Sequence, residues 1–393
     1  MSVAVAIAKD NLNARIARVA AIAAAHADAV DCESRFPREA VTALKAERLL
    51  SIQIPTELGG ESATITEIAA LCTVLGQACA ATAMIFAMHQ IKLSSLVEHG
   101  EGSDWHRDFM RRIARDQLLL ASATTEGGIG GNMRNSICAI RVEGDSCFLE
   151  KDTTVISYGA YADAILITSR AHADAAPSDQ VLTAFLKDQY TLDRTSVWDT
   201  LGMRGTCSDG FLFKGEAPAV QILPKPFAEI AAQSMLATSH LLWSALWYGI
   251  AADAVARAQA FVRAAARKSP GTPPPGALRL AEVSGQLQMV KSNVVAALKV
   301  YEEAKLDADR LSSMAFAVAM NNVKIVSSEA ILPIINHAML ICGIMGYKNG
   351  TPYSLGRHLR DAHSAQLMIS NDRILANTST MLLVHKQDTN LLG

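Results

Sequence analysis

Between Leu118 and about residue 223 the chain changes its hydrophobic period, and this constrains the fold more than any other feature. CAIRVEGDSCFLEKDTTVISYGAYADAILITSRA alternates apolar with polar residues and is rich in β-branched side chains, with turn residues at Gly144-Asp145 and Tyr158-Gly159. VLTAFLKDQYTLDRTSVWDTLGMRGTCSDGFLFKGEAPAVQIL continues the pattern. Short strands joined by short turns predict a compact β-barrel or sandwich. On both sides the spacing is helical. Residues 3–30 are Ala-rich, Pro37 opens a second helix, and further helices are expected at 64–80, 82–98 and 104–116. After Pro224 the helical period resumes, broken by the proline-rich loop Ser269–Gly276. The expected fold is α+β and multi-domain. It has an N-terminal helical domain (1–117), a middle β domain (118–223) and a C-terminal four-helix bundle (224–393).

The charges exclude whole classes of partner. Net charge is −2, from 36 basic and 38 acidic side chains, with no basic stripe for nucleic acid. The expected partner is therefore a small molecule or another copy of the chain, and half of the residues are hydrophobic, which predicts a large buried core. The seven cysteines contain no CxxC, so neither a zinc site nor a disulfide framework is expected, and a cytoplasmic setting suits reduced thiols. Lys9, Asp10, Arg15 and Arg18 interrupt the apolar N-terminal stretch, which is read as amphipathic rather than membrane-spanning.

The β region opens on ASATTEGGIGGNMRNS (121–136), a glycine-rich turn with hydroxyls at Thr124 and Thr125, whose backbone permits close approach of a flat ligand. Further words lie on both sides of it: PTELGG at 55–60 and His89 with EHG at 98–100 before, then FLEKDTTVIS, LGMRGTCSDGFLF, and CGIMGYKNGTPYSLGRHLRDA near the C-terminus. In this order they resemble the acyl-CoA dehydrogenase superfamily of flavoproteins, from about residue 35 to 383. The resemblance implies a flavin, usually FAD, between the β domain and the C-terminal bundle, in a homotetramer or homodimer whose subunits share the cofactor. It implies flavin-ring contacts from Thr125, Ile156 and Ser157, where a hydroxyl or N–H stabilises charge on reduced flavin. Gly130, Gly131, Gly343, Gly346 and Arg267 (or Arg263) fall in the segments implied for the rest of the cofactor. Arg204 and Arg360 would shape the site, or simply form ion pairs.

Departures from the pattern matter as much. The family's carboxylate base, which must touch the proton it removes, is replaced by Ile369. His240, on the first bundle helix near where some relatives place that base, and Asp372, one turn past Ile369, are the alternative candidates. The words that would hold the adenosine-diphosphate end of FAD are weakened, so FMN or an exchanging reduced flavin is also expected. That pattern resembles the two-component flavin monooxygenases, which draw reduced flavin from a separate reductase; His89 would then serve near the oxygen-reacting face. Three functions follow as expectations. The first is an FAD-dependent oxidoreductase acting on a CoA or carrier-protein thioester or a similar carbon acid. The others are a flavin-dependent monooxygenase and an inert ligand-binding homologue.

Overall fold

The structure is a computed structural model and describes residues 12–128, 132–387 and 390. The N-terminal region is helical: α1 (Leu12–Cys32), α2 (Arg38–Ala46), α3 (Ile65–Ala78), α4 (Ala80–His99) and α5 (Asp104–Asp116). Thr64 starts α3 with a reciprocal capping box to Glu67, and the extended backbone of Cys79 separates α3 from α4. The PTELGG segment turns at Gly59, whose φ of 92° favours glycine.

The middle region holds β1 (Leu120–Ala123), β2 (Arg141–Glu143), β3 (Ser146–Thr153), β4 (Ala164–Arg170), β5 (Gln180–Leu186), β6 (Tyr190–Ser196) and β7 (Gly210–Pro218). They form two sheets, ordered β1-β4-β5 and β2-β3-β7-β6, with β1 and β4 parallel. Phe185 of one sheet meets Phe213 of the other edge-on at 5.1 Å, so the region is a sandwich and not a closed barrel. Lys151 of β3 lies inside it, donating to the Thr168 carbonyl (2.6 Å) and hydroxyl (3.2 Å).

The C-terminal region begins with α6 (Phe227–Ile230) and a π turn over Ala231–Met235, which runs into the long α7 (Leu236–Lys268). The proline-rich loop separates α7 from α8 (Ala277–Ala304). Then come α9 (Ala308–Leu311), α10 (Met314–Cys342), α11 (Ile344–Tyr347), α12 (Gly356–Ala362), α13 (Ser364–Leu367) and α14 (Asn371–Leu382). This is the helix–sheet–helix order that the hydrophobic periods predict. By length and composition α4 and α10 would also cross a membrane, but 89% of the apolar window of α4 is buried in the fold.

Two glycines dock the N-terminal helices on the bundle. Gly76 of α3 and Gly249 of α7 face each other, and a Cβ at either would strike a backbone carbonyl, that of Leu246 or Thr73. Thr73 also donates its hydroxyl to the Ala245 carbonyl, 3.1 Å across the same crossing. This close approach sets the position of α4 against α7, and between those helices lies the site.

Candidate functional site

A cavity of about 580 Å³ opens where the three regions meet. One wall is a stripe on α4, Met84, Met88, Ile91 and Lys92, at the i, i+4, i+7, i+8 spacing of one helix face. Facing it are Met235 of the π turn with Ser239 and Trp243 of α7, again one helical turn apart. The β sandwich contributes Thr125, Val155, Ser157 and the β6–β7 loop, and the stretch from α12 to α14 closes the rim with Arg360, His363, Ile369 and Arg373. A π turn next to a pocket is a common device for re-aiming side chains. A larger, shallow depression of about 930 Å³ on the sandwich includes the exposed Arg141, Glu150 and Lys214, and lacks any enclosing wall from the helices.

Ser157 ends a chain of hydroxyls. Thr206 donates to the Met203 carbonyl (2.8 Å) and sits 2.9 Å from the Ser208 hydroxyl, which donates to Ser157 at 2.8 Å. With Ser208 donating, the Ser157 proton is free to point into the cavity; with the chain reversed, Ser157 presents lone pairs instead. Such a group serves a ligand edge that changes between acceptor and donor. Tyr158 fixes the turn, donating its hydroxyl to the Leu120 carbonyl (2.9 Å) and its N–H to the Thr206 carbonyl (2.7 Å).

Backbone strain concentrates around this cavity. Met203, Ile369 and Ser370 line it with positive φ (53°, 50° and 21°), and Tyr158 and Cys207 beside it are also left-handed (45° and 44°). Each such residue costs about 1–3 kcal/mol and persists only where the surroundings impose it. Ile369 is the most unfavourable of them because its β-branched side chain suits that region least.

The anticipated residues divide sharply. Thr125 and Ser157 line the cavity, while Ile156 between Val155 and Ser157 alternates into the core, its N–H donated to the Asp209 carbonyl. His89 does not reach the cavity. Its Nε2 is 2.6 Å from the Leu50 carbonyl and its Nδ1 accepts the Leu120 N–H at 3.0 Å, so both ring nitrogens are spent on joining α4 to β1. Burial holds it neutral, with a pKa near 4 despite that carbonyl. His240 is also buried away from the cavity, its Nδ1 3.0 Å from the Met320 carbonyl, and burial again lowers its pKa to about 4. Asp372 lies exposed in the first turn of α14, although its neighbours Ser370 and Arg373 line the rim. None of the three occupies the place of a base.

Arg204 is structural, donating to the carbonyls of Asp31 and Thr200, whereas Arg360 lines the cavity while paired with the Asp31 carboxylate. Within this chain Arg267 (exposed at the end of α7), Gly343 and Gly346 (the turn after α10) stand off the cavity. Gly130 and Gly131 lie outside the described residues. Glu126, the one carboxylate of the glycine-rich turn, faces inward and accepts the N–H groups of Ile137 (2.6 Å) and Cys138 (3.2 Å). Burial raises its pKa, but the Ser136 hydroxyl, Lys151 and those N–H groups outweigh it and keep it ionised.

Ile369 does face the cavity, and no Asp or Glu lines it among the described residues. Lys92 is the feature that sequence reasoning missed. Its signal is a lysine eight residues after Met84 and four after Met88, on the same face of an otherwise apolar helix.

Comparisons with known proteins fit this geometry. The family model for the acyl-CoA dehydrogenase N-terminal domain matches residues 10–117, and that for the C-terminal domain matches 230–379. A cyclohex-1-ene-1-carbonyl-CoA dehydrogenase of Geobacter metallireducens is 26% identical over 58% of this chain and 60% of that protein. Its namesake from Syntrophus aciditrophicus is 24% identical over 88% of this chain and 82% of that protein. Among solved structures, FMN-bound TdsC from Paenibacillus sp. A11-2, a dibenzothiophene monooxygenase, superposes with a TM-score of 0.80 at 18% identity. That superposition covers 95% of this chain and 98% of TdsC.

Proposed function

We propose that this chain, which belongs to the acyl-CoA dehydrogenase superfamily of flavin oxidoreductases, is a flavin-dependent monooxygenase and not a thioester dehydrogenase. One observation carries the choice: Ile369, at the position where the resemblance would put the family's base, faces a cavity with no carboxylate in its lining among the described residues. Removal of an α-proton from a thioester needs a base in contact with it, and neither an alkyl side chain nor the rings of His89 and His240, buried outside the cavity lining, meet that need.

The cavity suits a flavin ring. Ser157 presents an adaptable hydroxyl at its wall, Thr125 a second, and the indole N–H of Trp243 has no acceptor among the described residues. The chemistry supplied by a bound reduced flavin is two-electron activation of dioxygen, with one oxygen atom inserted into the substrate and the other released as water. Thr125 and Ser157 would hold the ring edge, and the methionines and tryptophans would exclude water. FMN and FAD both remain within this reading, as does a separate reductase supplying the reduced form. Self-association belongs to it too, supported by exposed Met289, Val326, Leu340 and Leu375 on the bundle helices.

The test has two arms. Under anaerobic conditions, butyryl-CoA and cyclohex-1-ene-1-carbonyl-CoA should fail to bleach flavin added to the protein; bleaching by either would overturn the reading. With chemically reduced flavin in ¹⁸O₂, an aromatic panel should yield a product carrying one labelled oxygen by mass spectrometry. Ser157→Ala should weaken flavin binding by about fivefold, as expected for one lost hydrogen bond of about 1 kcal/mol. A protein that neither binds flavin nor incorporates oxygen would be the inert homologue.

A further inference from the structure

Among the described residues three lysines are buried, and they are not treated alike. Lys151 gives its ammonium to the carbonyl and hydroxyl oxygens of Thr168, and Lys324 gives its own to Asn371 Oδ1 at 2.6 Å. Lys92, only 5% exposed, has a single hydrogen-bond partner among the described residues, the thioether sulfur of Met235 at 2.8 Å. A thioether is a weak acceptor and an ammonium carries three donors, so the group is left short of oxygen partners. No carboxylate pairs with it among the described residues, and burial alone shifts its pKa, down to about 7. An ammonium without its counter-charge is among the most costly things to bury, which makes the position informative.

The surroundings say what is missing. Lys92 lies two helical turns, roughly 12 Å, along α4 from Met84, at the Met235 end of the cavity. The cavity's other cations stand elsewhere: Arg360 is paired with Asp31, and His363 and Arg373 are exposed at the rim. Six methionines and two tryptophans supply most of the apolar lining, a polarizable surface suited to aromatic rings.

We propose that Lys92 anchors a carboxylate on an aromatic substrate, its ammonium finding in the ligand the oxygen partner that the fold withholds. This deepens the assignment of the cavity as the substrate and flavin site and rests on it. The aromatic body would lie along the methionine wall, with the acid group at the Lys92 end. Lys92 would therefore select acids over neutral analogues of the same shape.

Calorimetric titration of the full chain at pH 6.5 with 2-naphthoate and 2-naphthamide tests this without any variant. The acid should bind at least tenfold more tightly than the amide. Lys92→Met should abolish that preference, and Lys92→Arg should retain part of it. Equal affinities in the unaltered protein, failure of both compounds to bind, or a preference that survives Lys92→Met would each overturn the proposal. FMN is titrated in parallel. A chain that prefers naphthoate but binds no flavin keeps the anchor and loses the flavin reading, whereas flavin binding without acid preference loses the anchor alone.

Discussion

Gly249→Leu is expected to lower the thermal unfolding midpoint by roughly 4 °C or more, from a loss of about 3 kcal/mol or more. Any Cβ at this position collides with the Thr73 carbonyl, and the next atoms met are Thr73 C at 3.1 Å and Gln77 N at 3.2 Å. All are backbone, so no rotamer change relieves the clash; α7 must move away from α3. Gly76 on the opposite helix meets Leu246 in the same way, and the two glycines form one contact. Gly285 on α8 supplies the control, because a Cβ there meets nothing within 4 Å. Gly285→Ala should be neutral or stabilising by up to about 1 kcal/mol, since alanine is the better helix former. Paired melts of the two variants separate a packing constraint from a general intolerance of substitution. Loss of the α3–α7 approach should also weaken ligand binding, because the same approach places α4 against the π turn.

Acid should destabilise the chain steeply between pH 6.5 and 4. His89 and His240 are fully buried, and in each the folded-state pKa falls from 6.5 to about 4, principally through burial. The unfolded chain binds more protons than the folded one throughout that window, so stability is fully present above 6.5 and is lost as pH falls toward 4. Each ring contributes roughly 3 kcal/mol across the window. His106, His99 and His358 shift in the same direction, burial being the largest cause in each. Asp361 opposes them. Burial raises its pKa to about 6 although it accepts the Met203 N–H, so it favours the folded state as pH falls below 6. The histidines outnumber it, and the net slope is acid-destabilising. Urea midpoints at half-unit steps from pH 7.5 to 4.5 measure this. His240→Phe should flatten the profile, whereas an unchanged slope would show that His240 is not held neutral.

What the sequence disclosed and what it concealed follow from the physics of each signal. Helices and strands differ in period, so the exchange of 3.6 for 2 near Leu118 and back after Pro224 is legible without a structure. Ile369 was legible only through the resemblance, as a departure at a set offset from Arg360-Asp361-Ala362, and the structure shows that it lines the cavity. His89 misleads because a polar ring on an apolar helix looks the same whether it meets a ligand or two backbone groups. Only the third dimension brings Leu50 and Leu120 to its nitrogens. Lys92 was concealed for the converse reason. Three residues from His89 on the same helix, it reads as a solvated end of a long side chain until the helix proves buried around it. The hydroxyl relay through Thr206 and Ser208 joins a loop to a turn about fifty residues away in sequence, a pairing that no local pattern records.

The cavity wall draws on residues from Met84 to Arg373. As the chain leaves a ribosome, the α4 stripe and the sandwich edge emerge first and have no opposing wall until α7 follows, and no rim until α12 and α14 follow that. Met84, Met88 and Ile91 therefore pass through a long interval as exposed apolar surface, during which a holding chaperone is the natural occupant of the future pocket. The Arg360–Asp31 pair is among the last long-range contacts to become available, since it joins the first helix to the twelfth. Synthesis arrested before residue 360 should leave a chain with most of its helices and both sheets but no enclosed site, retained by chaperones rather than released.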